Sequence, residues 1–174
     1  MTDKELVQGI QSGNREALEI IIEKYYNDIY RFCRYYTGDE TDSYDITQDV
    51  FFRFIKYAEA YHHQNLKGYL IMIARNLCMD YYKQQKESFP FAEIPDLARS
   101  DHTLQQLEDE LFLREILMKL PIQQREVILL REYEEMKFHE IAKLLSCNLS
   151  TVKSRFRLGI LNIRKLLAEN KILF

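Results

Sequence analysis

Apolar residues recur every three or four positions through most of the chain, which is the pattern of helices that bury one face. Four such segments fill the N-terminal half, with short polar interruptions between them. The third is predicted over residues 43–61, with inward positions at Ile46, Val50, Phe51, Phe54, Ile55 and Ala58. The fourth is predicted over residues 66–86, with inward positions at Leu70, Ile73, Ala74, Leu77 and Tyr81. Because Gly and Pro are few and no alternating strand pattern occurs, the chain is predicted to be all-α.

Residues that favour helix ends support these boundaries. Thr2 and Glu5 have the spacing of a capping box, which opens the first helix. Asn14 is predicted to cap the second helix, and Gly38 is predicted to end it. Near the other end of the chain, Ser150 is predicted to cap the last long helix.

Periodicity is lost over residues 88–103, which hold two of the 3 prolines and more acids than bases. An acidic segment that is not rich in Gly and Ser is expected to be extended. The helical pattern returns at Leu104, and Pro121 separates two further helices. We therefore predict two small helical domains, an N-terminal bundle over residues 1–87 and a C-terminal four-helix domain over residues 104–174. An extended acidic linker over residues 88–103 joins them.

The C-terminal domain is predicted to contain a helix-turn-helix over residues 135–167. The turn falls at residues 146–149, and the helix after it carries polar and cationic outward positions at Lys153, Ser154, Arg155, Arg157 and Asn162. Such a helix pair can place its second helix in the major groove of DNA. The alternative is an ordinary helical hairpin with a solvated basic face, because the turn lacks the frequent glycine.

The formal net charge of −3 is unevenly distributed. Residues 1–87 carry 11 cations and 14 anions, residues 88–136 carry 5 and 11, and residues 137–174 carry 8 and 2. A basic terminal block behind an acidic middle is typical of a local phosphate-contacting surface. The acidic remainder lowers nonspecific affinity for DNA, because that affinity comes mainly from phosphate neutralisation.

Candidate catalytic and metal-binding groups are sparse. Asp45 and Asp49 have the spacing of a carboxylate pair or a metal site, but a solvated or partner-facing surface is the favoured interpretation. The cysteines, Cys33, Cys78 and Cys147, indicate neither a disulfide framework nor a zinc site. Neither a signal peptide nor an apolar stretch of membrane-spanning length is recognised. The expectation is a cytoplasmic, non-enzymatic protein without metal, cofactor or membrane insertion.

Two polar surfaces in the N-terminal half suggest binding. The third helix carries a face formed by Asp45, Gln48, Asp49, Phe52, Arg53 and Lys56, and an aromatic residue beside Arg is typical of an interface anchor. The fourth helix and its start carry groups suited to unstacked bases, namely Asn65, Lys67, Tyr69, Arg75 and Asn76. The alternatives are that Tyr69 packs against the bundle and that Asn76 is merely solvated.

Five segments in order resemble motifs of the extracytoplasmic-function (ECF, group IV) sigma factors, small two-domain promoter-recognition subunits of bacterial RNA polymerase. Residues 45–51, Asp-Ile-Thr-Gln-Asp-Val-Phe, resemble the D-x-x-Q-[ED]-x-F segment of region 2.2. Residues 69–76 resemble W-L-x-x-I-A-x-N, and residues 120–127 resemble the L-P-x-x-x-R start of region 4. Residues 140–142 and 150–155 are similar to the two helix-turn-helix signatures.

This resemblance implies a role for each candidate residue. The clamp helices of the largest subunit of core RNA polymerase would be bound by Asp45, Gln48, Asp49, Phe52 and Arg53. An extruded base of the minus-ten promoter element would be read by His63, Asn65, Lys67, Tyr69 and Asn76. Duplex DNA of the minus-35 element would be read by Ser150, Thr151, Lys153, Ser154, Arg155 and Arg157. An anti-sigma factor is a possible further partner.

The sequence departs from the family pattern at two places. Tyr69 stands where the family usually has tryptophan, which keeps an aromatic surface. Leu158 and Gly159 stand where many members carry Arg-Ala, which removes a cation and places a helix-weakening glycine inside the recognition helix. Readout of the minus-35 element is therefore expected to differ.

Two other functions compete with this interpretation. A stand-alone helix-turn-helix repressor or activator would bind duplex DNA tightly without polymerase, usually as a symmetric dimer. An all-α adaptor would use the third-helix face for protein contacts and have no DNA role. The adaptor hypothesis leaves the basic C-terminal block without a purpose.

Overall fold

The computed structural model of the chain describes residues 1–62, 65–88 and 104–171. The chain divides into two compact units, Met1–Leu97 and Ala98–Phe174. The described residues form helices and no strands, which confirms the all-α prediction and its two helical domains. Beyond Ser88 the predicted extended linker lies outside the described residues, as does His63. No helix in the described ranges has both the length and the apolar character needed to cross a membrane.

The described part of the first unit is built around one long central helix. Its α-helices are α1 (Asp3–Gln11), α2 (Arg15–Thr37), α3 (Glu40–Tyr57) and α4 (Leu66–Ser88), and a 3-10 turn follows α3 at Ala58–Ala60. Helix α2 packs against each of the other three. The interior is apolar and aromatic, with fully buried side chains that include Ile21, Ile29, Phe32, Tyr36, Phe54 and Leu70. Each such side chain stabilises the fold by roughly 1.5–3 kcal/mol relative to leaving it exposed.

The predicted caps at the start of the chain are confirmed. The side chains of Thr2 and Glu5 accept each other's backbone N–H groups. The Oδ1 atom of Asn14 accepts from the second and third residues of α2. Gly38 ends α2 with φ of 76°, a left-handed conformation that glycine adopts without steric cost.

Helix α3 differs from its predicted span and inward face. It begins at Glu40 rather than Ser43, because Asp39 caps it by accepting the N–H of Asp42 at 2.8 Å. The polar residues 39–42, which the sequence predicts to separate the second and third helices, therefore form the cap and the first turn of α3. Ile55 is 39% exposed, so its prediction as a core residue is wrong. Neighbouring helical positions are separated by about 100°, and the adjacent Phe54 occupies the direction of the core.

The described part of the second unit consists of α5 (Leu104–Lys119), α6 (Ile122–Ile128), α7 (Phe138–Leu144) and α8 (Leu149–Lys171). A π-helical turn at Leu129–Tyr133 extends α6. Helix α8 packs against α5, α6 and α7. Pro121 immediately precedes α6, and its carbonyl accepts the N–H groups of Gln124 and Arg125.

A buried arginine joins α5 to α6. The Nε atom of Arg125 donates to the Leu117 carbonyl at 2.8 Å, and its Nη2 donates to the carbonyls of Met118 and Leu120 at 3.1 and 3.2 Å. The last carbonyls of a helix lack intrahelical partners, so this guanidinium satisfies groups that the end of α5 leaves open. Arg125 is the arginine of the L-P-x-x-x-R segment, and its observed contacts are structural.

Candidate protein-binding and nucleic-acid interfaces

The five side chains predicted to bind a protein lie on one exposed strip of α3. Asp45, Gln48, Asp49, Phe52 and Arg53 are all exposed, whereas Ile46, Val50 and Phe54 on the opposite side are buried. Phe52 is 67% exposed, the largest value for any aromatic side chain among the described residues. We call these five residues the α3 strip. It combines a large apolar group with charges of both signs.

Two exposed residues that the sequence did not predict as part of a binding surface flank the α3 strip. Tyr44 and Ile55 are 50% and 39% exposed, and helical geometry puts Tyr44 beside Gln48 and Ile55 beside Phe52. The sequence predicts Ile55 to be buried, because its apolar side chain gives no sign of a surface role. With Phe52, these side chains form an apolar margin along one edge of the strip.

Polar contacts, one of them partly buried between α3 and α4, hold the N-terminal half of α3, which carries the first part of the strip. The hydroxyl of Tyr81 on α4 donates to the carboxylate of Asp42. Burial raises the pKa of Asp42 above its usual value, although the hydrogen bond from Tyr81 opposes that rise. Burial and the hydrogen bond to Asp42 together raise the pKa of Tyr81, so its hydroxyl remains protonated at neutral pH. Nearby, the buried Thr47 hydroxyl donates to the Ser43 carbonyl at 2.7 Å.

Asn65 caps helix α4. Its Oδ1 atom accepts the N–H of Gly68 at 2.9 Å, and its backbone carbonyl accepts the N–H of Tyr69 at 3.1 Å. The sequence predicts Asn65 only as a candidate base contact. The missed signal is an asparagine directly before an apolar helical run, which is typical of an N-cap.

Lys67, a predicted minus-ten residue, is held in an ion pair. Its Nζ atom lies 2.9 Å from Oδ2 of Asp28 on α2, and Oδ1 of Asp28 lies 3.2 Å from Nη2 of Arg31. Partly exposed pairs of this kind contribute only about 0–1 kcal/mol to stability. A DNA phosphate can therefore compete with Asp28 for the Lys67 ammonium group.

The remaining described minus-ten candidates, Tyr69 and Asn76, have different environments. The ring of Tyr69 is half-buried, with its centroid 4.9 Å from that of Tyr61 and 6.4 Å from that of Phe54. Tyr69 therefore packs against the bundle, which is the alternative that the sequence left open for this residue. Asn76 is exposed, and its Oδ1 atom accepts from Nη1 of Arg75 at 3.4 Å. The two residues are seven positions apart, so they lie on the same side of α4.

Helices α7 and α8 form the predicted helix-turn-helix, and the turn between them is a Schellman motif. The N–H of Cys147 donates to the Ala142 carbonyl at 3.1 Å, and the N–H of Ser146 donates to the Lys143 carbonyl at 3.3 Å. Ser146 holds φ of 51°, the left-handed conformation in which glycine is usual. The tight turn therefore forms without the glycine that its sequence lacks.

The start of α8 corrects one predicted cap. The N–H of Val152 donates to the Asn148 carbonyl at 3.2 Å, so the first helical bond starts at Asn148. Ser150 therefore lies inside the first turn, and its prediction as the capping residue is wrong. The Schellman turn ends at Cys147, and α8 begins two residues later at Leu149. Ser150 is therefore helical and does not have the extended backbone of a capping residue.

The predicted minus-35 residues fall into two groups on α8. Ser150, Lys153, Ser154 and Arg157 are exposed, whereas Thr151 and Arg155 are half-buried. Asn162, predicted to face outward, instead donates through Nδ2 to Oε1 of Gln124 on α6 at 2.7 Å. That prediction is wrong because α8 packs against α6 along this side.

Gly159 lies where α8 and α6 approach closely. A Cβ atom added at Gly159 would lie 2.7 Å from Cδ1 and 3.3 Å from Cγ1 of Ile128. Glycine at this position therefore avoids a steric clash with Ile128 where α8 crosses α6. Its neighbour Leu158, which replaces the usual cation, is 44% exposed.

Comparison with known proteins identifies similar sequences over both units. The profile of Sigma-70 region 2 matches residues 21–88, and that of Sigma-70, region 4 matches residues 113–163. The ECF RNA polymerase sigma factor SigW of Bacillus subtilis (strain 168) is 25% identical over 184 residues, covering 97% of this chain and 98% of SigW. The ECF RNA polymerase sigma factor SigM of the same strain is 27% identical over 144 residues, covering 79% of this chain and 87% of SigM.

Two solved structures share the fold. CnrH in complex with the cytosolic domain of CnrY has a TM-score of 0.74 at 22% identity, with 96% of this chain and 97% of CnrH covered. The sigma factor RpoE in complex with the anti-sigma factor NepR from Bartonella quintana has a TM-score of 0.73 at 20% identity, with coverages of 86% and 96%. The two profile matches include the α3 strip, the start of α4 and the helix-turn-helix.

Proposed function

The chain belongs to the sigma-70 family as an extracytoplasmic-function sigma factor, and we infer that it binds core RNA polymerase and directs it to promoters. The observation that carries this inference is the order of the two matched regions. Sigma-70 region 2 falls on the first helical unit, and region 4 includes the helix-turn-helix of the second. A sigma factor contributes promoter choice, so we propose that the chain has no catalytic site of its own.

We propose that the α3 strip docks on the clamp helices of the largest polymerase subunit. Its exposed Phe52, with Tyr44 and Ile55 beside it, supports this assignment, because exposed apolar side chains grouped among charges are typical of binding surfaces. The polymerase partner implies a cytoplasmic location. An anti-sigma factor is a further proposed partner, because the RpoE structure, which shares the fold, is a complex with the anti-sigma factor NepR.

We propose that the two units read the two promoter elements. Residues 1–87 would act as region 2, in which the start of α4 reads the minus-ten element, and residues 104–174 would act as region 4, which reads the minus-35 element. The exposed Lys153, Ser154 and Arg157 support the second assignment, because a cationic recognition helix suits both phosphates and guanine edges. Residues 88–103 would join the two units as a linker.

Charge reversal at Asp49 tests the polymerase contact. Asp49→Lys should weaken binding to core polymerase at least about tenfold, which corresponds to roughly 1.4 kcal/mol at a single interface position. The measurement is the equilibrium affinity for purified core polymerase, with circular dichroism to verify folding. Glu19→Lys, an equal charge change at an exposed position of α2, is the matched control and should bind normally. Equal affinity of the Asp49→Lys and Glu19→Lys variants would remove the α3 strip from the proposal.

Run-off transcription with core polymerase on a promoter library tests the function as a whole. The chain should confer selective initiation, and alone it should bind duplex DNA only weakly. A stand-alone regulator would instead bind duplex sites tightly without polymerase. Failure to bind core polymerase, or binding without start-site selection, would contradict the proposed function.

A further inference from the structure

The outward side of the proposed recognition helix, α8, carries two exposed leucines. Leu158 and Leu161 are 44% and 45% exposed, whereas the same helix buries Val152 completely. A leucine at this exposure contributes little to the fold, because its contribution comes from apolar area that is removed from water. The packing of the second unit therefore does not account for leucine at these positions.

Helical geometry divides the exposed side of α8 into two lines of side chains, because positions three, four or seven apart point in similar directions. One line is cationic and consists of Lys153, Arg157 and Arg164. The other line, about 90° around the helix axis, consists of Ser154, Leu158 and Leu161. The second line carries no charge before Lys165, so the outward side of α8 is cationic along one edge and apolar along the other.

Leu158 lies among the side chains that we propose to read minus-35 DNA. It directly follows Arg157 and lies one turn beyond Ser154, and both of these side chains are exposed. The major groove accepts a whole α-helix, so neighbouring outward side chains of one turn enter it together. The docking proposed for Arg157 therefore brings Leu158 to the edges of the same or adjacent base pairs.

An aliphatic side chain can favour only one group in the major groove. The bases present hydrogen-bond donors and acceptors there, and the C5-methyl group of thymine is the apolar exception. Leucine forms no side-chain hydrogen bond, so covering a donor or acceptor would remove that group from water without a partner, at a cost in free energy. Contact with a methyl group instead removes two apolar surfaces from water.

We propose that Leu158 is a specificity-determining residue that contacts the C5-methyl group of one thymine in the minus-35 element. The proposal rests on the function proposed above and adds to it one base and the group on that base that is read. It also gives a consequence to the departure at position 158, where many family members carry arginine. A cation there suits phosphates and guanine, whereas leucine selects a methyl group without adding a phosphate contact.

Nucleotide analogues that differ only in this methyl group test the contact. Deoxyuridine is thymidine without the C5-methyl group, and 5-methyldeoxycytidine adds that group to a C·G pair. The chain is assembled with core polymerase, and run-off transcription from a library with a randomised minus-35 segment gives a matched promoter. The affinity of the holoenzyme is then measured for promoters in which each minus-35 thymidine is replaced in turn by deoxyuridine. Circular dichroism verifies the folding of each variant.

At one minus-35 position the wild-type chain should bind the deoxyuridine promoter about fourfold more weakly, which is the effect of one buried methyl group. At the same position 5-methyldeoxycytidine should bind about fourfold more tightly than deoxycytidine. Leu158→Ala should abolish both differences, and Leu158→Met, which keeps an apolar side chain of similar volume, should retain them in part. Leu149→Ala, at another exposed leucine of α8, is the matched control and should retain both in full.

Two results would overturn the inference. Equal affinity for thymidine and deoxyuridine at every minus-35 position would exclude a methyl contact, and a deoxyuridine effect that persists in Leu158→Ala would assign the contact to another residue. In both cases selective transcription by the wild-type chain would leave the proposed function intact. A wild-type chain that starts transcription on no library member would overturn the proposed function and this inference with it.

Discussion

The backbone of Ser146 has a conformation that is unfavourable for residues other than glycine. Its φ of 51° lies in the left-handed region, which costs an L-residue roughly 1–2 kcal/mol. The Schellman hydrogen bonds of Ser146 and Cys147 hold it there. This strain lies in the turn that sets the angle between α7 and α8, and thus the direction of the recognition helix.

Replacing this residue with glycine should relieve the strain. Ser146→Gly should raise the free energy of unfolding of the second unit by about 0.5–1 kcal/mol, because glycine adopts the left-handed conformation freely. Urea unfolding of the full chain, monitored by hydrogen exchange at the amides of α7 and α8, measures this change in the free energy of unfolding. Ser154→Gly, at an exposed position inside α8, is the matched control and should lower stability by about 0.5 kcal/mol. Loss of stability in both variants would contradict the strain at Ser146.

At the scale of elements, the crossing of α6 and α8 depends on a glycine. Glycine inside a helix costs about 0.5–1 kcal/mol relative to alanine. At Gly159 this cost is offset by close packing, because a Cβ atom there would lie 2.7 Å from Cδ1 of Ile128. The departure from the family's Arg-Ala pair is thus accompanied by a specific contact between two helices.

A double-mutant cycle tests this contact. Gly159→Ala alone should lower stability, because the added methyl group meets Ile128, and Ile128→Val removes the Cδ1 atom that it meets. The two changes together should cost less than the sum of the single changes, with a coupling of about 1 kcal/mol by urea unfolding. Ile122→Val in the same helix is the matched control and should combine additively with Gly159→Ala. Additive behaviour of the Ile128 pair would contradict the proposed clash.

At the scale of the whole molecule, charge is divided along the chain. The last 38 residues, 137–174, carry 8 cations and 2 anions, whereas the chain as a whole has a formal charge of −3. We therefore expect phosphate contacts to concentrate in the block that contains the proposed recognition helix. This division favours local contact with promoter DNA over general coating of nucleic acid.

Arg157 tests whether this cationic block reads bases. Arg157→Ala should cost about 1–3 kcal/mol at a matched minus-35 site and should relax selection at one base pair. Binding of the holoenzyme to matched and single-base variant promoters, at several salt concentrations, measures both effects. Arg164→Ala, the loss of another exposed cation on α8, is the matched control and should act equally on all sequences. Equal weakening on every sequence by Arg157→Ala would identify a phosphate contact.

The sequence by itself determined the helices, most of their ends and the exposed side of α3. The signals for these features are local: a capping side chain such as Asn14 acts within one turn, and apolar periodicity defines the buried face. It also predicted the two helical domains, since loss of periodicity marks the end of an element. The resemblance that identified the family depended on short motifs of the same local kind.

Only the tertiary structure decided which side chains of the candidate sites are already engaged. Lys67 is paired with Asp28, Tyr69 packs on Tyr61, and Asn162 turns inward to Gln124. Each of these partners lies at least eight residues away along the chain, outside the helix that carries the side chain. Helical spacing contains no information about what faces a side chain across a packed interface. The same reason explains Gly159, whose role exists only because α6 crosses α8 at that point.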